Sequence, residues 1–249
     1  MGQSVVTVRY EETGVAVVEM ADREGSNTFT RPLIEGLLRA FETIAGDERI
    51  RAVLLHGYDS IFCAGGTKEE LVGFIEGEVT LEGPAFFRLL LDCPVPVVAA
   101  MQGHAMGGGL VFGLYADVVV LAQESLYGTN FMKYGFTPMA GTTLIVPEKL
   151  GIGLASEMLF GARSFHGGEL KERGIPFPVV RRAEVIATGL RIATQIAQKP
   201  RLALTLLKQQ LTSRIVEALP NVLRRELEMN RVSMAQPGVR DRIERNYGV

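Results

Sequence analysis

Three consecutive glycines, Gly107-Gly108-Gly109, stand between two apolar stretches, Pro94 to Met101 and Leu110 to Leu121. The first stretch is short and rich in Val, as a buried strand requires. The second carries Leu110, Phe112-Gly113-Leu114 and Ala116 at spacings that suit a buried helix. Glycines at a strand-to-helix junction let backbone N–H groups approach a ligand, because no Cβ intervenes. The helix start adds donors without an intrahelical partner and a partial positive charge. Such a corner can hold a negative oxygen that forms during a reaction. A tight turn packed against a neighbouring helix would use the same residues. A second corner favours the chemical reading. Ile61-Phe-Cys-Ala-Gly-Gly66 is again a short apolar segment ending in glycines, and Thr67 with Glu70 then has the pattern of a helix-capping box. The two corners can each offer one N–H to the same oxygen, and a thioester carbonyl becoming an enolate is a natural guest.

The elements that must position these corners can be read from periodicity. Val5 to Tyr10 and Val15 to Met20 are strands joined by a Thr13-Gly14 turn. Residues 30–45 place Leu33, Leu37, Ala40, Phe41 and Ile44 on one face of an amphipathic helix, with Pro32 near its first turn. A strand over 50–56, a turn at Gly57 to Ser60, and a helical region over 67–92 broken at Gly77 and Gly83-Pro84 follow. Strand 95–101, helix 107–115 and strand 117–121 complete an alternation that implies parallel βαβ units. Residues 173–178 form a loop, and 182–198, 201–211 and 220–234 are helical candidates. The expected organisation is an α/β core over residues 1–180 and a C-terminal helical region over 181–249.

The chain has 249 residues, of which 47% are hydrophobic, ample for a sizeable core. A net charge of −2 gives no sign of a nucleic-acid binder. Two cysteines, Cys63 and Cys93, without metal-ligand spacing fit a reduced, cytoplasmic setting and no metal site. The N-terminus has no signal-peptide pattern, and position 6 is not the Ser or Thr that Gly2 myristoylation asks for. No apolar run reaches membrane-spanning length.

Phe62-Cys-Ala-Gly-Gly66, Pro94-Val-Pro-Val-Val-Ala-Ala100, Gln102-Gly-His-Ala-Met-Gly-Gly-Gly109 and Ala116-Asp117 occur in the order seen in the crotonase (enoyl-CoA hydratase/isomerase) superfamily. Tyr127-Gly-Thr-Asn-Phe-Met-Lys-Tyr-Gly135, Pro138 and Gly141-Thr-Thr143 also fit. The resemblance runs from about residue 5 to the C-terminus and is strongest from Cys63 to Gly151. It implies a ββα spiral core covered by C-terminal helices, a homotrimer, and an oxyanion hole whose backbone donors fall on Gly66 and Gly108. Hydratases of the superfamily place two glutamates where Val111 and Phe131 stand in this chain. Neither replacement carries a proton, so hydration by that route is not expected. Glu148 and Glu157 are expected to face solvent.

Leu91 to His104, Asn130 to Pro138, Val146 to Gly151, Lys171-Glu-Arg-Gly-Ile-Pro-Phe177 and Lys199-Pro-Arg201 resemble a narrower group, the decarboxylating enoyl-CoA-hydratase homologues of polyketide β-branching cassettes. That resemblance implies a 3-methylglutaconyl substrate on the phosphopantetheine of an acyl carrier protein and no further cofactor. Loss of CO₂ would leave a 3-methylcrotonyl-type branch. An apolar lining of Val111, Phe131 and Met132 would destabilise the departing carboxylate. The group has a Lys where this chain aligns Thr80 and a His where it has Asn230, and neither substitute is a practical proton donor near neutral pH. Water, Tyr134 or Lys68 are the remaining donors, and Lys68 could also touch a phosphopantetheine or the substrate carboxylate. Two alternatives stay open: an enoyl-thioester isomerase, and a thioester-binding subunit without turnover.

Other conspicuous residues have plain structural readings. His104 is read as a hydrogen-bonded core histidine, His56 as a strand end, and His166 as part of a helix-capping loop. Cys63 is a small buried hydrophobe. Lys133 is counted with Tyr134 as a lining candidate, and Met229 and Met234 as residues of a subunit contact.

Overall fold

The structure is a computed structural model that describes residues 4–76 and 84–247. Strands β1 (Val6–Tyr10) and β2 (Val15–Met20) form an antiparallel hairpin. Helix α1 (Arg31–Gly46) begins where Thr30 Oγ1 accepts the Leu33 N–H, with Pro32 in the first turn. Its buried face carries Leu33, Leu37, Ala40, Phe41 and Ile44, as the periodicity predicts. Then come β3 (Ala52–His56), β4 (Ile61–Cys63) and α2 (Lys68–Glu76). The capping box at α2 is complete: Glu70 N–H donates to Thr67 Oγ1, and Thr67 N–H to Glu70 Oε2, each at 3.1 Å. Short helices α3 (Pro84–Phe87) and α4 (Leu89–Asp92) lead to β5 (Val97–Met101), β6 (His104–Met106) and α5 (Gly108–Leu114). Next are β7 (Val118–Ala122), β8 (Leu126–Gly128), α6 (Phe131–Tyr134), α7 (Thr142–Leu150) and α8 (Ile152–Gly161). The chain continues through β9 (Ser164–His166), α9 (Gly167–Glu172) and β10 (Val179–Val180). It ends in α10 (Arg182–Ala197), α11 (Arg201–Met234) and α12 (Val239–Asn246).

The strands form two sheets. One has six strands in the order β1-β2-β3-β5-β7-β10, parallel except for the first pair. The other has the order β4-β6-β8-β9, parallel except for the last pair. Successive turns of chain give β3 then β4, β5 then β6, and β7 then β8, one strand to each sheet. This is the ββα spiral that the family resemblance implies. Side chains of the large sheet alternate between its two faces. Val15, Val17, Leu54, Val98 and Ala100 meet Val185, Ala193 and Ala197 of α10. Ala16, Val18, Val53, Leu55 and Ala99 point the other way into the main core.

The C-terminal region departs from expectation in one respect. Residues 201–211 and 220–234 are parts of one 34-residue helix, α11, with Pro220 inside it. An interior proline removes a helical hydrogen bond and costs roughly 3 kcal/mol. Anchors on both sides of it offset that cost. Lys208 Nζ lies 2.8 Å from Asp117 Oδ2 and donates to the Leu90 and Val95 carbonyls. Leu219 is fully buried, and the Glu226 carboxylate accepts from Gly141 N–H, Thr143 N–H and Thr143 Oγ1–H at the start of α7. Among the described residues no helix is long and apolar enough to cross a membrane, and no cluster of side chains could hold a metal ion.

Candidate active site

Parallel pairing of β4 with β6, and of β6 with β8, puts the C-terminal ends of three strands side by side. Each end opens into a corner: Ala64 to Thr67 after β4, Gly107-Gly108 after β6, and Thr129-Asn130 after β8. The first two corners touch. A Cβ on Gly65, whose φ is +88°, would stand 2.8 Å from the Met106 carbonyl oxygen and 3.2 Å from Gly108 N. A Cβ on Gly109 would stand 2.2 Å from the Cys63 carbonyl oxygen. Gly107 has φ +55° and ψ −126°, a conformation that an L side chain resists. Close approach therefore requires glycine here for steric reasons, and it brings Gly66 and Gly108 to the edge of one cavity. Neither amide donates a hydrogen bond to another described residue.

The loop after β2 braces the first corner. Phe29 N–H donates to the Gly65 carbonyl at 2.8 Å, the same peptide unit that carries the Gly66 N–H. Accepting a bond at its oxygen polarises that unit and strengthens it as a donor. Buried Asn27 holds the loop, its Nδ2 donating to the Met20 and Phe62 carbonyls and its Oδ1 accepting the Asp22 N–H. Phe29 also packs edge-on to Phe86, Phe87 and Phe112, which closes the space beneath Gly108. Cys63 donates its thiol to the Asn27 carbonyl, and burial pushes it up to about 12, so it is the inert hydrophobe the sequence suggests.

Gly66 and Gly108 border a cavity of about 750 Å³. The cavity is also lined by Asn130 at the start of α6, by Phe131, Lys133 and Tyr134 within it, by Phe136 after it, and by Tyr247 after α12. Tyr134 stacks on Phe136 and Tyr247, with ring centroids 5.8 and 6.5 Å away. Asn130 Nδ2 donates to Tyr134 Oη at 3.0 Å, while a Cβ on Gly107 would fall 2.4 Å from Asn130 Oδ1. Asn130 thus bridges the glycine corner and the tyrosine. Tyr247 Oη–H donates to the Gly66 carbonyl at 2.8 Å, so the C-terminal end of the described chain is tied to the first corner. Burial, with the neighbouring Tyr134 phenol and the Glu69 and Glu70 carboxylates, pushes Tyr247 up to about 12.

Gly66, Gly108, Phe131, Lys133 and Tyr134 therefore line one cavity. Lys68 begins α2 and is half-buried, but the lining side chains beside it are Thr67 and Glu69. Val111 is fully buried within the main core and does not line the cavity. Met132 is 41% exposed and also lies off the lining. Asn230 sits one layer back: it is fully buried, Nδ2 donates to the Thr137 carbonyl, and Oδ1 has no partner among the described residues. Thr80 lies outside the described residues. Met234 packs within its own chain against the cluster of Phe131, Tyr134 and Phe136. Glu148 and Glu157 face solvent as read. His104 is half-buried on the cavity margin, accepts the Leu126 N–H at Nδ1, and is held below the ordinary imidazole range by burial and by Arg182 and His166. His56 ends β3 beside the Gly57 carbonyl, and His166 precedes α9 without capping it through its side chain. Sequence reasoning missed Asn130, Tyr247 and the bracing by Phe29. The Asn130–Tyr134 spacing of one helical turn was the signal available for the first.

Residues 10–245 match the enoyl-CoA hydratase/isomerase family, and the chain belongs to it. Over 248 residues it is 44% identical to the bacillaene synthase decarboxylase PksI of Bacillus subtilis, with 100% of each chain covered. It is similar to the solved ECH2 decarboxylase domain of CurF from Lyngbya majuscula at 43% identity and TM-score 0.94, covering 98% of this chain and 100% of that one. A structure from a dehydratase/decarboxylase enzyme couple involved in polyketide β-branching superposes with TM-score 0.96 at 44% identity, covering 99% and 100%.

Proposed function

We propose that this chain is a decarboxylase acting on a 3-methylglutaconyl-type thioester carried on an acyl carrier protein, in the formation of a polyketide β-methyl branch. The observation that carries the reading is the pair of glycine amides, Gly66 and Gly108, that border one cavity and donate to no other described residue. The high identity to relatives named as decarboxylases supports the same reaction. In it the bond between the terminal carboxylate and its neighbouring carbon breaks, CO₂ leaves, and the electron pair passes through the conjugated system into the thioester. The two amides take up the oxygen charge of the dienolate, an interaction stronger in the transition state than in the substrate. Phe131 offers the carboxylate no compensating charge, which favours its loss. Val111 and Phe131, where hydratases carry glutamates, leave no acid–base pair to add water.

The phosphopantetheine arm is the carrier of the substrate, and no other cofactor enters the proposal. Residues 181–249 act as the helical region that covers the active site and forms the homotrimer, and the enzyme works in the cytoplasm, where Cys63 and Cys93 stay reduced. The test is incubation with 3-methylglutaconyl-loaded carrier protein, followed by mass spectrometry of the acyl group. Loss of the mass of CO₂ is expected. An isomer of unchanged mass would make the chain an isomerase, and a carrier complex without turnover would make it a binding subunit; either result overturns the proposal.

A further inference from the structure

Once CO₂ has left, a carbon of the dienolate must take up a proton. Two tyrosines, Tyr134 and Tyr247, line the cavity, and two more, Tyr115 and Tyr127, are buried nearby in the chain. Tyr247 donates to the Gly66 carbonyl, Tyr115 to the Ala140 carbonyl and Tyr127 to the Met101 carbonyl. Tyr134 is different: its oxygen accepts from Asn130 Nδ2, and its own O–H is committed to no described acceptor. It is 4% exposed and lines the same cavity as Gly66 and Gly108. Asn130 sets its position twice, through that hydrogen bond and through contact with the Gly107 backbone. The ring is stacked against Phe136 and Tyr247.

We propose that Tyr134 is the proton donor to the dienolate and that Asn130 is its positioning residue. This inference rests on the decarboxylase reading above. As the carbon–carboxylate bond breaks, the electron pair moves into the thioester and its oxygen is held by Gly66 and Gly108. The pair then returns to carbon, which takes the proton from Tyr134 Oη. The resulting phenolate keeps the Asn130 Nδ2 donor and regains a proton from solvent before the next turnover. The net reaction is substrate carboxylate plus one proton giving product and CO₂, with no oxidant or reductant required. Burial raises Tyr134 above its ordinary 10.0, against the Asn130 hydrogen bond that lowers it, so the phenol keeps its proton through the neutral range. Titratable groups on the elements packed around it include Tyr247 and Arg242 at the C-terminal end, Arg240, Asp241, Glu244 and Arg245 on α12, Lys133 on α6, Glu157 on α8, and Glu69 and Glu70 on α2. A single fixed donor also has a consequence for the product. The dienolate can be protonated at either of two carbons, and a donor held in one place selects one of them.

The test uses the full chain and carrier-bound 3-methylglutaconyl thioester, with NMR of the product and a pH–rate profile. The wild-type chain should give one double-bond isomer. Tyr134→Phe should turn over about 100-fold more slowly, within the range for loss of a general acid, and give a mixture of conjugated and unconjugated isomers. Asn130→Ala should also give a mixture, with a smaller loss of rate. Replacing Tyr134 with 3-fluorotyrosine keeps the ring and makes the phenol more acidic, so the alkaline limb of the profile should move down in pH. That variant serves if Tyr134→Phe does not fold. Wild-type rate and a single isomer from Tyr134→Phe would overturn the proposal, as would an alkaline limb unmoved by the fluorotyrosine. A wild-type chain that releases no CO₂ defeats the decarboxylase reading itself, and this inference with it.

Discussion

The two sides of the cavity are built from different materials. The side after β4 and β6 is backbone: glycines packed so closely that a single added carbon would overlap a carbonyl oxygen. The side after β8 and α12 is side chain: two tyrosines, two phenylalanines and an asparagine held by stacking and hydrogen bonds. Backbone donors held by strand pairing are oriented before substrate arrives, so they stabilise charge without reorganising. Side chains can be exchanged without disturbing the sheets, so they are where rate and product selection can be tuned. In the proposed reaction the glycine side supplies what enolate chemistry shares, and the aromatic side decides what is done with the enolate.

Substitutions can break this contrast. Gly109→Ala should have the largest effect, because its Cβ would sit 2.2 Å from a backbone oxygen that cannot swing aside. It should destabilise the chain by about 3 kcal/mol or more, read from the denaturant midpoint. Gly65→Ala should leave more of the fold but displace the Gly66 amide, since φ is +88° and the nearest atoms belong to the second corner. Its kcat/KM should fall about 100-fold to 1,000-fold with modest change in KM. On the opposite side, Tyr247→Phe keeps the stack on Tyr134 and deletes only the bond to the Gly66 carbonyl. A loss of about 1 kcal/mol in stability, with a roughly fivefold fall in kcat, is expected. The smallest effect sharpens the contrast from within the core. Cys63, buried and pushed up to about 12, should resist iodoacetamide in the folded chain at pH 8 and react fully in denaturant.

The same contrast explains what the sequence could reveal. A glycine triplet after a valine-rich run, and a glycine pair before Thr67 and Glu70, are local patterns with local causes. The strand, the corner and the capping box can each be read from adjacent residues. So can the apolar face of α1. The aromatic wall has no such signature. Tyr247 meets Gly66 across 181 residues of chain, a contact made by the packing of α12 against α2 and α6. Asn130 and Tyr134 stand in a recognisable motif, yet their hydrogen bond depends on the shape of the corner after β8. Val111 shows the limit of motif alignment, since the aligned position faces the core rather than the cavity. Pro220 shows the limit of local rules: a residue that breaks most helices is carried within α11 by anchors on other elements, at Asp117, Gly141 and Thr143.

The central claim is that the Gly66 and Gly108 amides hold the thioester oxygen as it gains charge. Isotope-edited infrared spectroscopy of a non-decarboxylating acyl-pantetheine analogue, labelled at the thioester carbonyl, tests it most directly. Bound to the wild-type chain, the carbonyl stretch should move to lower frequency than in water, and Gly65→Ala should return it most of the way. A bound carbonyl that vibrates as it does in water, or a shift that survives Gly65→Ala unchanged, would contradict the account.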